Sequence, residues 1–543
     1  MKSEAHRILA LEKYQSSSKD YTSLLKTKEG TWSLNKLQNR SLEACEIAGG
    51  AVLLLGCGVG KTLLSFVISQ VLKSSNPLLL IPAALREKTL REMKIYREQF
   101  IFKIPDILSY EMLSSKRKRT YLNTLKPDLI VCDEAHYLKN FESTRVLRIS
   151  KYLIKSPDTK VVVMSGTLFN KSLGDFAHLA EWCLRDKTPL PLNFRDVEAF
   201  DNVISGDANK YEYASFNPLF AFDRDPRKAM YLRLACTKGV VLTSEDTVKA
   251  SLRIYTRKLT VPQDLRIAIQ ETFESGVIDA LSELDINVNL EELISSEHLW
   301  DDVNQLVVRA ISQMYTGFLY FWEWPENKTD YEWINARKSW RWVTSTVKSM
   351  MLEGFDSPSL IADNFEELPF DLKKEYSDSF IDWQRERHKQ PPPKKSVWLS
   401  DYLIEDVYKW TKEQTNSFII WVDFVELGNV LSKRLGIKYY KGGEALPYDG
   451  KSCILSIKSH GTGQNLQAWH TNLVIASMSS PSRWEQLIAR THRTGQKEDV
   501  VSYTVYNFGV FASALYAARR QAKVISETTG QKQRLTYADW CKS

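Results

Sequence analysis

Ala51-Val-Leu-Leu-Leu55-Gly56-Cys57-Gly58-Val59-Gly60-Lys61-Thr62 decides how this chain is read. Five apolar residues lead into alternating glycines, then a lysine and a hydroxyl residue open a helical pattern. An uninterrupted apolar run of this length reads as a strand buried on both faces of a parallel sheet. Glycines let backbone N–H groups wrap an anion, and the first turn of the following helix adds positive potential. Such a turn suits phosphate oxygens: Gly58 and Gly60 would line it, Lys61 would reach the outer phosphates, and the Thr62 hydroxyl would bind Mg²⁺. Leu55 stands where the full G-x-x-x-x-G-K-[ST] spacing has glycine. A glycine-rich turn that holds no nucleotide is the alternative.

Downstream, short apolar runs alternate with helical patterns at Pro77–Ile81, Asp106–Leu108, Asp128–Val131 and Val161–Met164. In parallel sheets the functional groups gather at the carboxyl ends of the strands. Asp128-Leu-Ile-Val-Cys-Asp133-Glu134-Ala135-His136 delivers two adjacent carboxylates there. Asp133 would hold Mg²⁺ through water, and Glu134 would orient and polarise an attacking water. A solvated acidic loop is the other reading, and it fits poorly after so apolar a run. Val161-Val-Val-Met-Ser165-Gly166-Thr167 is a further strand ending in small hydroxyl residues, equally well explained as a strand and a turn.

A second α/β region starts near Ser396, with strand candidates at Ser417–Val422, Cys453–Ile457, Leu473–Ala476 and Val500–Val505. It carries Ser459-His-Gly461-Thr-Gly463-Gln-Asn465-Leu and Gln486-Leu-Ile-Ala-Arg490-Thr-His492-Arg493-Thr-Gly495-Gln496. Arg490 and Arg493 stand three apart, so on a helix they share a face. Two guanidinium groups on one face would reach an outer phosphate across a cleft. A basic surface helix is the alternative.

Between the two regions, from about Phe194 to Lys395, the pattern is mostly amphipathic helix, for example over Leu299–Tyr320, with a strand candidate at Arg253–Val261. Pro391-Pro392-Pro393 closes it as an extended linker. Trp322, Trp324, Trp333, Trp340 and Trp342 lie among Arg337, Lys338 and Arg341. Such interleaving can stack bases and bind phosphates, but a small helical core filled by tryptophan is the preferred reading. Lys116-Arg-Lys-Arg119 reads as a solvated helix face, with a phosphate contact as the second reading.

Composition sets the outer bounds. The 543 residues are 43% hydrophobic and 26% charged, which excludes fibrous, collagen-like and wholly disordered classes and predicts about three to four domains. No apolar run reaches the roughly 18 residues of a spanning segment, so no membrane role is expected. The acid-bearing start lacks a secretory core. Seven scattered cysteines include no C-x-x-C, so neither a zinc ribbon nor a disulfide framework is supported. A reducing, cytoplasmic setting is expected. A net charge of +7 permits a polyanionic partner without requiring one.

Taken in order, these segments resemble helicase superfamily two, and in detail the SWI/SNF-type, chromatin-remodeller-like DEAH-box ATPases. Asp133-Glu-Ala-His-Tyr-Leu-Lys139-Asn140 is similar to that family's extended acidic box. Ser165-Gly-Thr167-Leu-Phe-Asn170 resembles its motif III, Ser456-Ile-Lys458-Ser-His-Gly461-Thr-Gly463-Gln-Asn465-Leu its S-T-K-A-G-G-x-G-L-N-L, and His492-Arg493-Thr-Gly495-Gln496 its H-R-x-G-Q. Leu34…Leu37-Gln38, Ile81-Pro82-Ala83, Ser109-Tyr110-Glu111 and Ser417-Phe-Ile-Ile-Trp421 occupy the places of the adenine-reading glutamine and motifs Ia, Ib and IV. Leu55-Gly56-Cys57 replaces the usual Asp-Glu-Met, and Gln464 replaces a small or apolar residue. The match spans about 34–170 and 417–505. The 331–358 stretch resembles the insertion of bacteriophage-encoded members, and no histone-reading appendage is apparent in the sequence, which implies a minimal motor.

The resemblance implies an α/β fold of two tandem RecA-like parallel-sheet lobes with a largely helical insertion. The boundaries that follow are an N-terminal extension 1–30, lobe one 31–190, a helical protrusion with a return strand to lobe one 191–262, a tryptophan-rich insertion and linker 263–395, and lobe two 396–543. ATP and Mg²⁺ would sit between the lobes. Lys61, Asp133, Glu134, Arg490 and Arg493 would be catalytic; Gln38, Gly58, Gly60, Thr62 and Gly463 would hold nucleotide. His136, Ser165, Thr167 and Gln486 would couple the lobes, and Pro82, Ser109, Tyr110, Trp421 and Ser459 would touch DNA. The implied activity is ATP-driven movement of a monomeric motor along duplex DNA, with replication or recombination proteins as further partners. Its rivals are a strand-separating or branch-migrating helicase, a DNA-binding scaffold with a silent ATPase, and an RNA motor.

Overall fold

The computed structural model describes residues 3–542 except 18, 57–58, 167–171, 244–247, 273–304, 329, 353, 443, 445, 447–448 and 462–464. The apolar runs of the first region become strands: β1 (Ala51–Leu54), β2 (Pro77–Ile81), β3 (Asp106–Ser109), β4 (Leu129–Asp133) and β5 (Lys160–Met164), joined by β6 (Val240–Leu242). They form one sheet in the order β3-β2-β4-β5-β1-β6, parallel throughout. Strands apolar on both faces need cover on both. On one face the helices α1 (Lys36–Ala48) and α2 (Lys61–Val71) place Leu42, Cys45, Leu64, Phe66 and Val67 against Leu53, Leu79, Val131 and Val162. A capping box between Asn35 and Gln38 starts α1, and Gly49, at φ 75°, ends it. Further helices used below are α3 (Tyr110–Ser114) and α4 (Thr144–Lys155).

The second sheet gathers β7 (Ser251–Arg257), β10 (Phe418–Val422), β11 (Tyr439–Tyr440), β12 (Cys453–Ser456), β13 (Thr471–Ile475), β14 (Val500–Tyr506) and β15 (Asp539–Lys542). Its order is β11-β12-β10-β13-β14-β7-β15, again parallel throughout. Trp421, Trp469 and Trp484 are fully buried in its core. Each indole N–H donates to a partner, Asn472 Oδ1, Lys451 O and Met478 O respectively. The chain is thus an α/β protein with two large parallel sheets, the architecture expected of two RecA-like lobes.

Two compact units contain these sheets: residues 1–245, 324–391 and 527–531 in the first, and 246–323, 392–526 and 532–543 in the second. Here the expected boundaries need correction. The strand expected to return to lobe one is β7, and it pairs with β14 and β15 in the second sheet. The place beside β1 is taken by β6, three residues within the Thr237–Thr243 stretch that resembles the family's return to lobe one. The insertion expected as one piece over 263–395 is divided. Its start and end contribute β8 (Phe318–Trp322) and β9 (Lys394–Trp398), an antiparallel pair in the second unit. The helix expected over Leu299–Tyr320 lies partly outside the described residues. Its described part runs Gln305–Tyr315 and gives way to β8 at Gly317. Gly317 has φ 93°, and a Cβ there would sit 2.1 Å from the Ser400 carbonyl oxygen.

The middle of the insertion belongs to the first unit. It consists of α5 (Tyr331–Ser349), α6 (Pro358–Asp363) and α7 (Phe370–Glu386) around Trp340, Val343, Val347, Phe355 and Phe365. Trp340 stacks on Trp383 at 4.8 Å, and Trp333 is buried. These tryptophans are core, as preferred from sequence; Trp342 alone of the described ones on α5 is mostly exposed. A buried pair fastens this module to α4: Arg148 donates to both Asp356 carboxylate oxygens at 2.9 and 3.0 Å.

Candidate active site

β4, β5 and β1 are neighbours in the first sheet, so their carboxyl ends bring three loops together. The loop after β1 leads to Lys61, β4 ends at Asp133 and is followed by Glu134 and His136, and Ser165 follows β5. Lys61 is the first residue of α2, following Gly60 at φ 84°. That left-handed backbone favours glycine, and a Cβ on Gly60 would also lie 2.4 Å from Gln38 Nε2 on α1, which would have to move. The Lys61 ammonium donates to the carbonyls of Leu55 (3.2 Å) and Gly56 (3.3 Å). It stands 3.9 Å from Glu134 Oε1. Thr62 is half-buried one residue further on.

Glu134 adopts a left-handed backbone, φ 51° and ψ 48°, a conformation that costs a non-glycine residue about 1 kcal/mol or more. Its backbone N–H donates to Asp133 Oδ1 at 2.9 Å, and its other carboxylate oxygen lies 3.2 Å from His136 Nδ1. The same nitrogen is 3.3 Å from Ser165 Oγ. His136 therefore links the loop after β4 to the end of β5. Asp133 is buried. Burial, then the Glu134 charge beside it, push its carboxyl above the usual carboxylate range; Lys61 pulls the other way. A buried carboxylate in this condition accepts a cation, because opposite charge relieves the cost of its desolvation. Lys139, further along the same loop, is brought down to about 8 by burial.

Pro82, Ser109, Tyr110 and Trp421, expected to touch DNA, are all buried. Ser109 Oγ caps α3 by accepting from Met112 N. The Tyr110 hydroxyl donates to the Asp133 carbonyl at 2.7 Å, and its ring stacks on Tyr137 at 5.4 Å. These side chains support the loops they stand on. Gln38 is buried too, its carbonyl accepting from Asn35 N in the capping box and its amide 3.5 Å from the Val59 carbonyl. Tyr137 is the supporting residue the sequence reading missed; its one signal is an aromatic directly after the acidic box. Gly58, Thr167 and Gly463 lie outside the described residues.

In the second unit Ser459 is half-buried, close enough to Gly442 that a Cβ there would sit 2.9 Å from its Oγ. Arg490 and Arg493 do not share a helix face. The helix α8 (Pro481–Ile488) stops before them. Arg490 Nε turns back onto the Gln486 carbonyl at 2.8 Å. Beyond the helix, Thr491 Oγ1 meets the Tyr503 hydroxyl at 2.6 Å, and His492 Nε2 reaches the Ala250 carbonyl at 2.8 Å. Arg534 Nε donates to His492 Nδ1 at 3.3 Å, which leaves the His492 proton on Nε2. Arg534 also pairs with buried Glu485. No protein-family model and no curated protein matches the chain. No helix among the described residues is long and apolar enough to cross a membrane.

Proposed function

We propose that the chain is an ATPase of the SWI/SNF type that hydrolyses ATP with Mg²⁺ and moves along duplex DNA. The observation that carries the reading is the meeting of Lys61, Asp133, Glu134, His136 and Ser165 at the carboxyl ends of three adjacent parallel strands. The donor set fits the groups it would hold. Lys61 is poised over loop carbonyls that phosphate oxygens would replace as its partners. Thr62 and the buried Asp133 would hold Mg²⁺, which when bound neutralises phosphate charge and favours displacement at the outer phosphorus.

The chain's own residues divide the remaining work. Lys61 supplies a positive charge that stabilises negative charge building on the phosphate oxygens. Glu134, 3.9 Å from the Lys61 ammonium, orients water and takes up its proton at a carboxylate oxygen. His136 holds Glu134 from the other side and reports its position to Ser165. On this reading Arg490 and Arg493 would supply guanidinium groups to the same phosphates.

The deciding experiment is ATP turnover titrated separately with duplex DNA, single-stranded DNA and RNA, for the parent and Lys61→Ala. Turnover raised by duplex DNA in the parent and abolished in the folded variant is the expected result. Unchanged turnover in Lys61→Ala would remove the chain from this class. Stimulation by single strands alone would favour a strand-separating helicase.

A further inference from the structure

Glu485 and His492 bracket Arg490, and one side chain from near the end of the chain grips both. Glu485 stands on α8, and His492 lies between Arg490 and Arg493. The Arg534 backbone N–H donates to Glu485 Oε2 at 2.9 Å, and the Arg534 guanidinium pairs with Glu485 Oε1. The same guanidinium donates through Nε to His492 Nδ1 at 3.3 Å and through Nη2 to the His492 carbonyl at 3.1 Å. Glu485, His492 and Arg534 are all buried.

Arg534 is held in its turn. It opens the short helix α9 (Arg534–Tyr537), which leads into β15, and Trp540 Nε1 on that strand donates back to the Leu535 carbonyl at 3.1 Å. β15 pairs with β7 from Asp539 beside Arg253 to Lys542 beside Thr256. β7 begins directly after Ala250, whose carbonyl meets His492 Nε2 at 2.8 Å. These contacts close a ring within the second unit: β7, Ala250, His492, Arg534, β15 and β7 again. Both ring nitrogens of His492 are thereby fixed, one from each end of the circuit.

We infer that Arg534 is a positioning residue, which sets where Arg490 and Arg493 stand without itself meeting nucleotide. The inference rests on the ATPase reading above, in which those two guanidinium groups serve the phosphates. A planar guanidinium can address Glu485 and two atoms of His492 at once, whereas an ammonium brings the charge without the fork. Misplacing by about 1 Å a group that meets the transition state can cost about 10²-fold in turnover.

The test uses the full chain. Arg534→Lys keeps a charge beside Glu485 and gives up the fork on His492. Arg534→Met with Glu485→Leu removes the buried pair as a whole, so that neither charge is left buried alone. Both should lower duplex-stimulated kcat by about tenfold to hundredfold and leave the KM for ATP within about twofold of the parent. Both should also speed hydrogen exchange in peptides covering 489–496, with 418–422 unchanged. In a chain carrying Arg490→Ala and Arg493→Ala, where nothing is left to position, Arg534→Lys should change the residual turnover by less than about twofold. Unchanged kcat in both variants, unchanged exchange over 489–496, an effect carried by KM, or an equal fall in the doubly substituted chain overturns the inference while the ATPase reading stands. A parent without ATP turnover overturns that reading and the inference with it.

Discussion

Glu134 stands in a left-handed conformation between a buried carboxylate and a histidine, and its backbone strain and its charge can be separated experimentally. Glu134→Gln keeps the shape and removes the charge. On the proposed chemistry it should bind ATP normally and turn over at least about 10²-fold more slowly, while Asp133→Asn should weaken Mg²⁺–ATP affinity itself; nucleotide binding and turnover measured side by side distinguish the two. Glu134→Gly relieves strain of about 1 kcal/mol. It should be inactive yet melt no lower than the parent, as read by thermal denaturation. Buried Glu43 on α1 accepts from the Ser17 backbone N–H at 2.8 Å and from the hydroxyls of Ser16 and Ser17. Burial alone would raise its pKa, but these bonds outweigh it and bring the carboxyl down to about 2. Its stabilising effect is therefore full above the ordinary value of 4.5 and is lost as pH falls from there toward 2. Glu43→Gln should destabilise the protein by about 1–3 kcal/mol at pH 7, and the gap should close near pH 2 in urea titrations at both pH values.

Among the elements, strands apolar on both faces were readable and strands without that signature were not. β1, β2, β4 and β5 each present a solid apolar run, because a strand covered on both sides has no polar face to show. β6 has only three residues, and β8 and β9 form a partly exposed antiparallel pair whose sequence resembles helix on one side and linker on the other. β7 was visible as a strand, but nothing in its residues says which sheet it joins. The same limit applies to the site. Lys61, Asp133 and Glu134 could be placed from their spacing, since chemistry confines them to strand ends. Motif order could not say that Tyr110 and Trp421 point inward, because side-chain direction depends on partners such as the Asp133 carbonyl and Asn472 that only the fold brings near. The fastening of α4 to the α5–α7 module was equally invisible, its two residues being far apart in the chain. Asp356→Ala would leave Arg148 buried and unpaired, at a cost of about 3–5 kcal/mol. That loss should appear as faster protease cleavage within 324–391 before the sheet unfolds, whereas Arg148→Met with Asp356→Leu should recover much of it.

For the molecule as a whole, the proposed motor requires residues of both units to serve one nucleotide. Arg493→Ala should leave ATP affinity nearly intact and cut DNA-stimulated turnover by about 10³-fold or more. Lysine there should not restore it, since a point charge lacks the guanidinium fork. Turnover within about threefold of the parent in both Arg490→Ala and Arg493→Ala would make these residues structural and the joint mechanism untenable.

The position of β7 also sets a timetable for the chain's birth. Its neighbours are β14 and β15, and the first of these begins 249 residues later (500 − 251). At about 5–20 residues per second of synthesis, β7 waits roughly 12 to 50 seconds with both edges open. The strands of the first sheet, by contrast, are all made before β7 emerges. A nascent chain should therefore carry a finished first sheet and a β7 open at both edges for nearly half of its synthesis (249 of 543 residues), and slowing translation beyond residue 257 lengthens the interval in which that strand can pair with another chain.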